Sequence, residues 1–207
     1  RCRRPAVACI CDLVRPIDNR TRVLIVQHPK ETRHPFGTVR IARLGLRNVE
    51  VLVTARDGTT ATDGSQLRDA AVLYPGPTAT LLSDRATPLE TLVVVDGTWP
   101  TSRKLLRQNA WLRALPRVSL APPRPGNYRI RRAKRPEVEV STIEAIAFAL
   151  HELEPNTPGT LGLLESFDAM IDHQIGLATA EDRPRFARDL VSRPTEPARD
   201  DVVDPPT

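Results

Sequence analysis

The sequence predicts an α/β fold, a parallel sheet flanked by helices, and three observations carry that expectation. Five short runs are almost wholly apolar: RVLIVQH (22–28), VEVLV (49–53), AVLYP (71–75), TLVVV (91–95) and RVSL (117–120). Strands that bury one face alternate in polarity, whereas near-continuous apolar strands are covered on both faces, as in parallel sheets. Helical patterns lie at 38–46, 102–115, 141–152 and 160–177. Strands alternating with helices argue for crossover units rather than hairpins.

A chain of 207 residues with 40% hydrophobic content suits one core, with a small appendage at most. No run approaches the roughly eighteen apolar residues of a membrane span, and the opening lacks the apolar segment of a signal peptide, so the expected location is the cytoplasm. The sequence starts at Arg1 rather than methionine, from which we expect the amino end to have been trimmed. From residue 193 onward, RPTEPARDDVVDPPT is rich in proline and acid and is expected to be disordered. No internal repeat is present, and nothing in the sequence signals an oligomeric state.

A formal charge of +5 and a pI near 9.6 favour a polyanionic partner, because basic side chains near phosphates release counterions. The charge is also clustered: RPGNYRIRRAKR (124–135) holds six basic residues and one tyrosine, the footprint of a nucleic-acid contact. A soluble basic surface is the plain alternative.

In open α/β sheets ligands bind beyond the carboxyl ends of the strands. Three segments qualify here: YPGP (74–77), DGTWP (96–100) and VSTIEA (140–145). In the last, Ser141 or Thr142 ahead of Glu144 has the form of a helix N-terminus whose hydroxyl caps backbone amides. Asp96 stands out because it follows four apolar residues and precedes Trp99, an apolar wall beside which a carboxylate is partly desolvated and poised as a base. Asp-Gly is also a common turn dipeptide, so an Asx turn or a solvated loop acid remains open. Trp111, in a helical pattern with Leu112 and Leu115, is read as core.

Several chemistries lose support. The sequence contains no GxGxxG, Walker loop, HExxH or GxSxG element, which argues against dinucleotide oxidoreductases and nucleoside triphosphatases. His28, His34, His151 and His173 show no metal spacing. Cys2, Cys9 and Cys11 cluster in RCRRPAVACIC, and three thiols at this density mark a metal site more often than a disulfide. Structural zinc wants four ligands and three are visible, so either zinc is absent or a fourth thiolate lies upstream of Arg1.

Taken together, these residues resemble the DTW-domain family: Asp96, Thr98 and Trp99 stand in DGTWP, RCRRPAVACICDLV resembles its cysteine-rich opening, and HPKE with GTVRIARLGL its first strand end and next helix. YPG matches the mid-domain loop, and NYRIRR followed by VSTIEAIAFAL the closing motif, so the likeness runs in family order over residues 1–176. It implies a SPOUT-like parallel sheet with a C-terminal knot, a cysteine-rich zinc segment at 1–15, a catalytic domain at 20–178 and a tail at 193–207. The family's cysteine pattern is CxxC before CxC; Cys2 aligns with the second cysteine, which would place the fourth zinc ligand upstream of Arg1.

The resemblance also implies an activity: transfer of the aminocarboxypropyl group of S-adenosylmethionine to N3 of a uridine in tRNA. Asp96 would then be the catalytic base or, in a rival role, a binder of the donor. Around the donor would lie Tyr74, Pro75, Gly76, Thr98, Ser119, Leu120, Ser141 and Thr142, with Trp99 against donor or uracil. Thr38 and Arg40 stand in a GTxR-like motif in which Arg40 would pair with the donor carboxylate. Arg103, Lys104 and Arg107 on one helix, and Tyr128, Arg129, Arg131 and Arg132 after the last strand, would hold the RNA. Two other readings use the same residues: a SPOUT-type RNA methyltransferase, and a non-catalytic zinc-containing RNA-binding module.

Overall fold

The computed structural model describes residues 1–85, 87–128, 130 and 139–178. Its strands are β1 (Arg22–Gln27), β2 (Val49–Val53), β3 (Ala70–Leu73), β4 (Thr80–Leu81), β5 (Thr91–Asp96) and β6 (Arg117–Ser119). They form one sheet in the order β2-β1-β5-β3-β6-β4, and every pairing is parallel. Helices α1 (Pro29–Thr32), α2 (Val39–Gly45), α3 (Trp99–Gln108), α4 (Ala110–Ala114), α5 (Thr142–Leu153) and α6 (Gly162–Gly176) complete the fold. The expected α/β class with a parallel sheet flanked by helices is what the chain adopts. Among the described residues no helix is long and apolar enough to cross a membrane.

The apolar runs of β1, β3 and β5 are buried on both faces, whereas β2 at the sheet edge is half-buried with Glu50 and Val53 exposed. Val23, Ile25, Leu92, Val94, Ala71 and Val118 face a core shared with Ile41 of α2, Ile143, Ile146 and Leu150 of α5, and Phe167 and Met170 of α6. Their alternates Leu24, Val26, Val93 and Val72 face a second cluster with Leu106 of α3 and Trp111 and Leu112 of α4. Trp111 is thus core, and its indole N–H donates to Thr60 Oγ1 at 2.8 Å, so its one polar atom is satisfied. The amino-terminal segment is built into the first core through Ile10, Val14 and Ile17, with Ile17 bridging to Leu46.

One helical pattern divides where the sequence reads it as continuous. The stretch expected as a helix over 102–115 starts earlier, at Trp99, with Thr98 as N-cap and a proline in the first turn, and breaks at Asn109. Asn109 is buried, and its amide donates to Gly58 O at 2.8 Å and Leu105 O at 2.7 Å while accepting from Thr60 N at 2.9 Å. A side chain that satisfies the loop 58–60 and a helix-end carbonyl competes with continuing the helix. The two-residue edge strand β4 and the single-turn α1 carry too little pattern to be read from sequence.

The expected tail at 193–207 and the residues 129 and 131–138 lie outside the described residues.

Gly45 marks where α2 meets α6 and the amino-terminal segment. A Cβ there would fall 2.7 Å from Leu163 Cδ2 and 2.9 Å from Val14 Cγ1. Overpacking a core costs about 1–3 kcal/mol, against about 1 kcal/mol gained by replacing a helical glycine with alanine. Gly45→Ala is therefore expected to lower the unfolding free energy by about 1 kcal/mol in urea denaturation, with an unchanged slope.

Candidate functional site

Because the strands are parallel, their carboxyl ends share one edge, and Gln27, Tyr74, Asp96 and Ser119 all stand at or just beyond it. Asp96 ends the central strand β5, opposite Gln27 on β1. Its side chain is buried, with 7% of the residue exposed. Gln27 Nε2 donates to Oδ2 at 2.8 Å, and Thr142 Oγ1 donates to Oδ1 at 2.6 Å. Hydrogen bonds to the ionised form favour it and offset desolvation of the buried carboxylate. The carboxylate therefore ties β1, β5 and the first turn of α5 together.

Thr142 is held in turn by a capping box. Ser141 Oγ accepts from Glu144 N, and Glu144 Oε2 accepts from Ser141 N at 2.8 Å. Glu144 is wholly buried, and its second oxygen accepts from Asn127 N at 2.7 Å. The PGNY loop is thereby fastened to the start of α5. Asn127 Nδ2 donates to Asp168 at 2.6 Å, and Arg124 pairs with the same carboxylate at 3.3 Å, which fixes the loop to α6 as well.

On the other side of Asp96, Thr98 caps α3, its hydroxyl 2.9 Å from that of Thr101. Gly97 is required there, because a Cβ would lie 2.8 Å from Thr101 Cγ2. Trp99 is 39% exposed and meets the Tyr74 ring edge to face, with centroids 5.8 Å apart. Pro75 is exposed, Gly76 and Leu120 half-buried, and Ser119 pairs outward with Leu81. The edge therefore brings together Tyr74, Asp96, Thr98, Trp99 and Thr142, as the sequence suggested. It also adds Gln27, which the sequence reading missed; a lone amide closing an otherwise apolar strand was the available signal.

Thr38 and Arg40 occupy the corner between α1 and α2. Thr38 is buried at the N-cap of α2 without a capping bond. Arg40 Nη1 donates to His34 O at 2.6 Å and Pro35 O at 3.3 Å, closing the turn that leads into the helix. Burial, then the neighbouring Arg40 charge, pulls the Arg4 guanidinium below its ordinary value. Arg4 Nη2 donates to Gln174 at 2.6 Å, while Nη1 is buried with no partner among the described residues.

The three cysteine sulfurs lie within 4.8 Å of one another, with Cys2 Sγ and Cys9 Sγ 3.8 Å apart. A tetrahedron of sulfurs at the usual Zn–S length of about 2.3 Å has edges of about 3.8 Å, so the donor set fits a metal that prefers thiolates. Burial pushes the Cys2 thiol up, but the backbone groups of Ile10 and Arg4 and the thiols of Cys11 and Cys9 outweigh it and bring it down to about 7. Cys9 is lowered by the Cys11 backbone yet raised on balance by the Cys11 and Cys2 sulfurs, as expected where neighbouring thiols compete to ionise.

Of the basic residues, Arg103 and Arg107 are exposed on α3, whereas Lys104 is half-buried and its stem packs toward Gly58. Tyr128 points inward: its hydroxyl donates to Phe36 O, and its ring meets Phe167 edge to face at 5.4 Å. Arg129, Arg131 and Arg132 lie outside the described residues. Two open concavities, of about 810 and 640 Å³, lie away from Asp96, one beside residues 155–162 and one at the amino ends of β1 and β5. The chemistry-bearing residues are on the edge rather than in either concavity.

The DTW domain model matches residues 1–175. The chain belongs to the DTW domain family. It is 29% identical to tRNA-uridine aminocarboxypropyltransferase 2 of Mus musculus, with 84% of this chain and 62% of the relative covered. The same-named protein of Macaca fascicularis is 28% identical with the same shares, and that of Drosophila melanogaster is 27% identical over 87% of this chain and 76% of its own. This DTW domain therefore spans about 62% of the length of the two mammalian relatives. No solved structure matches it at a significant level.

The buried Glu144 is the most sensitive support of this DTW domain's edge. Glu144→Ala leaves the Ser141 and Asn127 amides without their acceptor, at about 1–3 kcal/mol for each buried orphan. Destabilisation of about 3 kcal/mol is expected in chemical denaturation, with amide exchange accelerating first at 126–128 and 141–145.

Proposed function

We propose that this chain transfers the 3-amino-3-carboxypropyl group of S-adenosylmethionine to N3 of a uridine in tRNA, leaving methylthioadenosine. The reading is carried by the relatives, which are named tRNA-uridine aminocarboxypropyltransferase 2 and align with 84 to 87% of this chain. It is supported by a buried carboxylate at the carboxyl edge of a parallel sheet, the place where α/β folds bind small ligands.

The reaction makes few demands. A sulfonium carries three activated carbons, and the one transferred is the one aimed at the nucleophile with sulfur directly behind it, so orientation decides the product. The bond from sulfur to the methylene of the amino-acid arm breaks, its electron pair stays on sulfur, and the neutral thioether needs no acid. Uracil N3 carries a proton and is a poor nucleophile until it is removed. In this reading Asp96 accepts that proton, while Gln27 and Thr142 hold the carboxylate in place. The rival role, in which Asp96 binds the donor's ammonium or a ribose hydroxyl, uses the same geometry.

The donor would be wrapped by the loops bearing Tyr74, Pro75 and Gly76, Thr98, Ser119 and Leu120, and Ser141 and Thr142. Arg40 would receive its carboxylate. The unpartnered Arg4 nitrogen beside Arg40 favours an anion at that corner. Zinc would be held by Cys2, Cys9 and Cys11 with a fourth ligand, and it would supply structural closure rather than chemistry.

Incubating the protein with unmodified tRNA and donor, then weighing the nucleosides, tests the reaction: an adduct of about 101 Da marks aminocarboxypropyl transfer and about 14 Da methyl transfer. The first is expected, with equimolar methylthioadenosine; no adduct under conditions where donor binds would sink the reading. Asp96→Asn separates the two roles. As base, its loss is expected to lower kcat about 10²- to 10⁴-fold while donor affinity stays within about twofold; as binder, donor affinity falls instead. In the zinc-loaded protein, Cys9→Ser or chelation is expected to lower both zinc content and thermal midpoint.

A further inference from the structure

Among the described residues, Trp99 is a partly exposed aromatic ring at this edge. It is 39% exposed where Trp111, the other tryptophan, is 8% exposed. Behind it stands Tyr74, edge to face at 5.8 Å, and over the Tyr74 ring lies the guanidinium of Arg117, 5.9 Å from the centroid. That distance is within the reach of a cation–π contact. Arg117 also lies against the bare face of Gly76, where a Cβ would come 3.1 Å from its Nη1. The ring and guanidinium are thus packed into one group just beyond the end of β3 and at the start of β6.

The helix that Trp99 begins extends this group. Arg103 and Arg107 follow it at four-residue steps, both exposed, so an aromatic ring and two cations line one face at about 6 Å intervals. Among the described residues, none of the ion pairs involves Arg103, Arg107 or Arg117. Ser102, Leu105 and Leu106 bury an adjoining face of α3 in the core, which fixes the rotation of the helix.

We infer that Trp99, Tyr74 and Arg117 form a stacking platform for an unstacked base of single-stranded RNA, whose phosphates run along Arg103 and Arg107 on α3. This rests on the transferase reading for its substrate class and assigns Trp99 to the RNA rather than to the donor. A partly exposed ring suits any base, and cations beside it suit the backbone; together they are the elements of single-strand recognition. Arg117 acts in it both as a buttress of Tyr74 and as a phosphate contact.

The test uses the full chain with a uridine oligonucleotide and, separately, S-adenosylmethionine, following tryptophan fluorescence. Because Trp111 is buried, a quench reports Trp99. The oligonucleotide is expected to quench, and donor affinity is expected to stay within about threefold in Trp99→Ala. Trp99→Ala is expected to weaken oligonucleotide binding tenfold or more while Trp99→Phe, which keeps a stacking face, holds it within about threefold. Arg117→Gln and Arg107→Gln are each expected to reduce the slope of log K against log salt by about 0.7, the loss of one phosphate contact to a single strand. Quenching by donor alone, with donor affinity lost in Trp99→Ala and oligonucleotide affinity retained, would overturn the inference. So would salt slopes unchanged in both arginine variants. Binding is read without turnover, so an intact platform in a protein that forms no adduct would remove the transferase reading and leave this one standing.

Discussion

All the named strand pairings in this sheet run the same way, and most of the molecule follows from that. Parallel neighbours cannot be joined by a tight turn, so the chain returns by crossovers whose helices cover both faces. Each strand must then be apolar on both sides, which is why Val23 to Val26 and Leu92 to Val94 are uninterrupted. Running the strands together also places every carboxyl end on one edge. Polar groups excluded from the faces of the sheet collect there.

At that edge a buried carboxylate has to be satisfied or it is too costly to keep. Asp96 is satisfied from two distant parts of the chain, by Gln27 of β1 and Thr142 of α5. The same arrangement is repeated one layer out, where buried Glu144 joins the cap of α5 to the loop at Asn127. Structure and proposed chemistry therefore share a cause. The bonds that make a buried acid tolerable also hold it in place.

The edge divides into an inner and an outer part. Inside are the buried Asp96 and Gln27 with the half-buried Thr142; outside are the partly exposed Trp99 and the exposed Arg103 and Arg107, on a helix that also buries Ser102, Leu105 and Leu106. The cysteine cluster stands apart from both, at the end of a segment anchored in the core by Ile10 and Val14.

What the sequence determined by itself is what depends on near neighbours along the chain. The five apolar runs, the cap ahead of Glu144, the acid ending TLVVV and the cysteine cluster are all local patterns, and each stands where its pattern implied. Asn109 shows the limit: the helical period continues through it, and only the loop at Gly58 and Thr60 gives its side chain reason to end the helix. Tyr128 shows it again, since a tyrosine among arginines reads as an RNA contact until Phe36 and Phe167 are seen around it. Gln27 offered only a lone amide at the end of an apolar strand, and Arg117 had no distinguishing neighbours in sequence. Their partners Asp96 and Tyr74 lie 69 and 43 positions away and are brought to them by strand order, which the tertiary structure alone decides because it depends on how the crossovers pack rather than on any local preference.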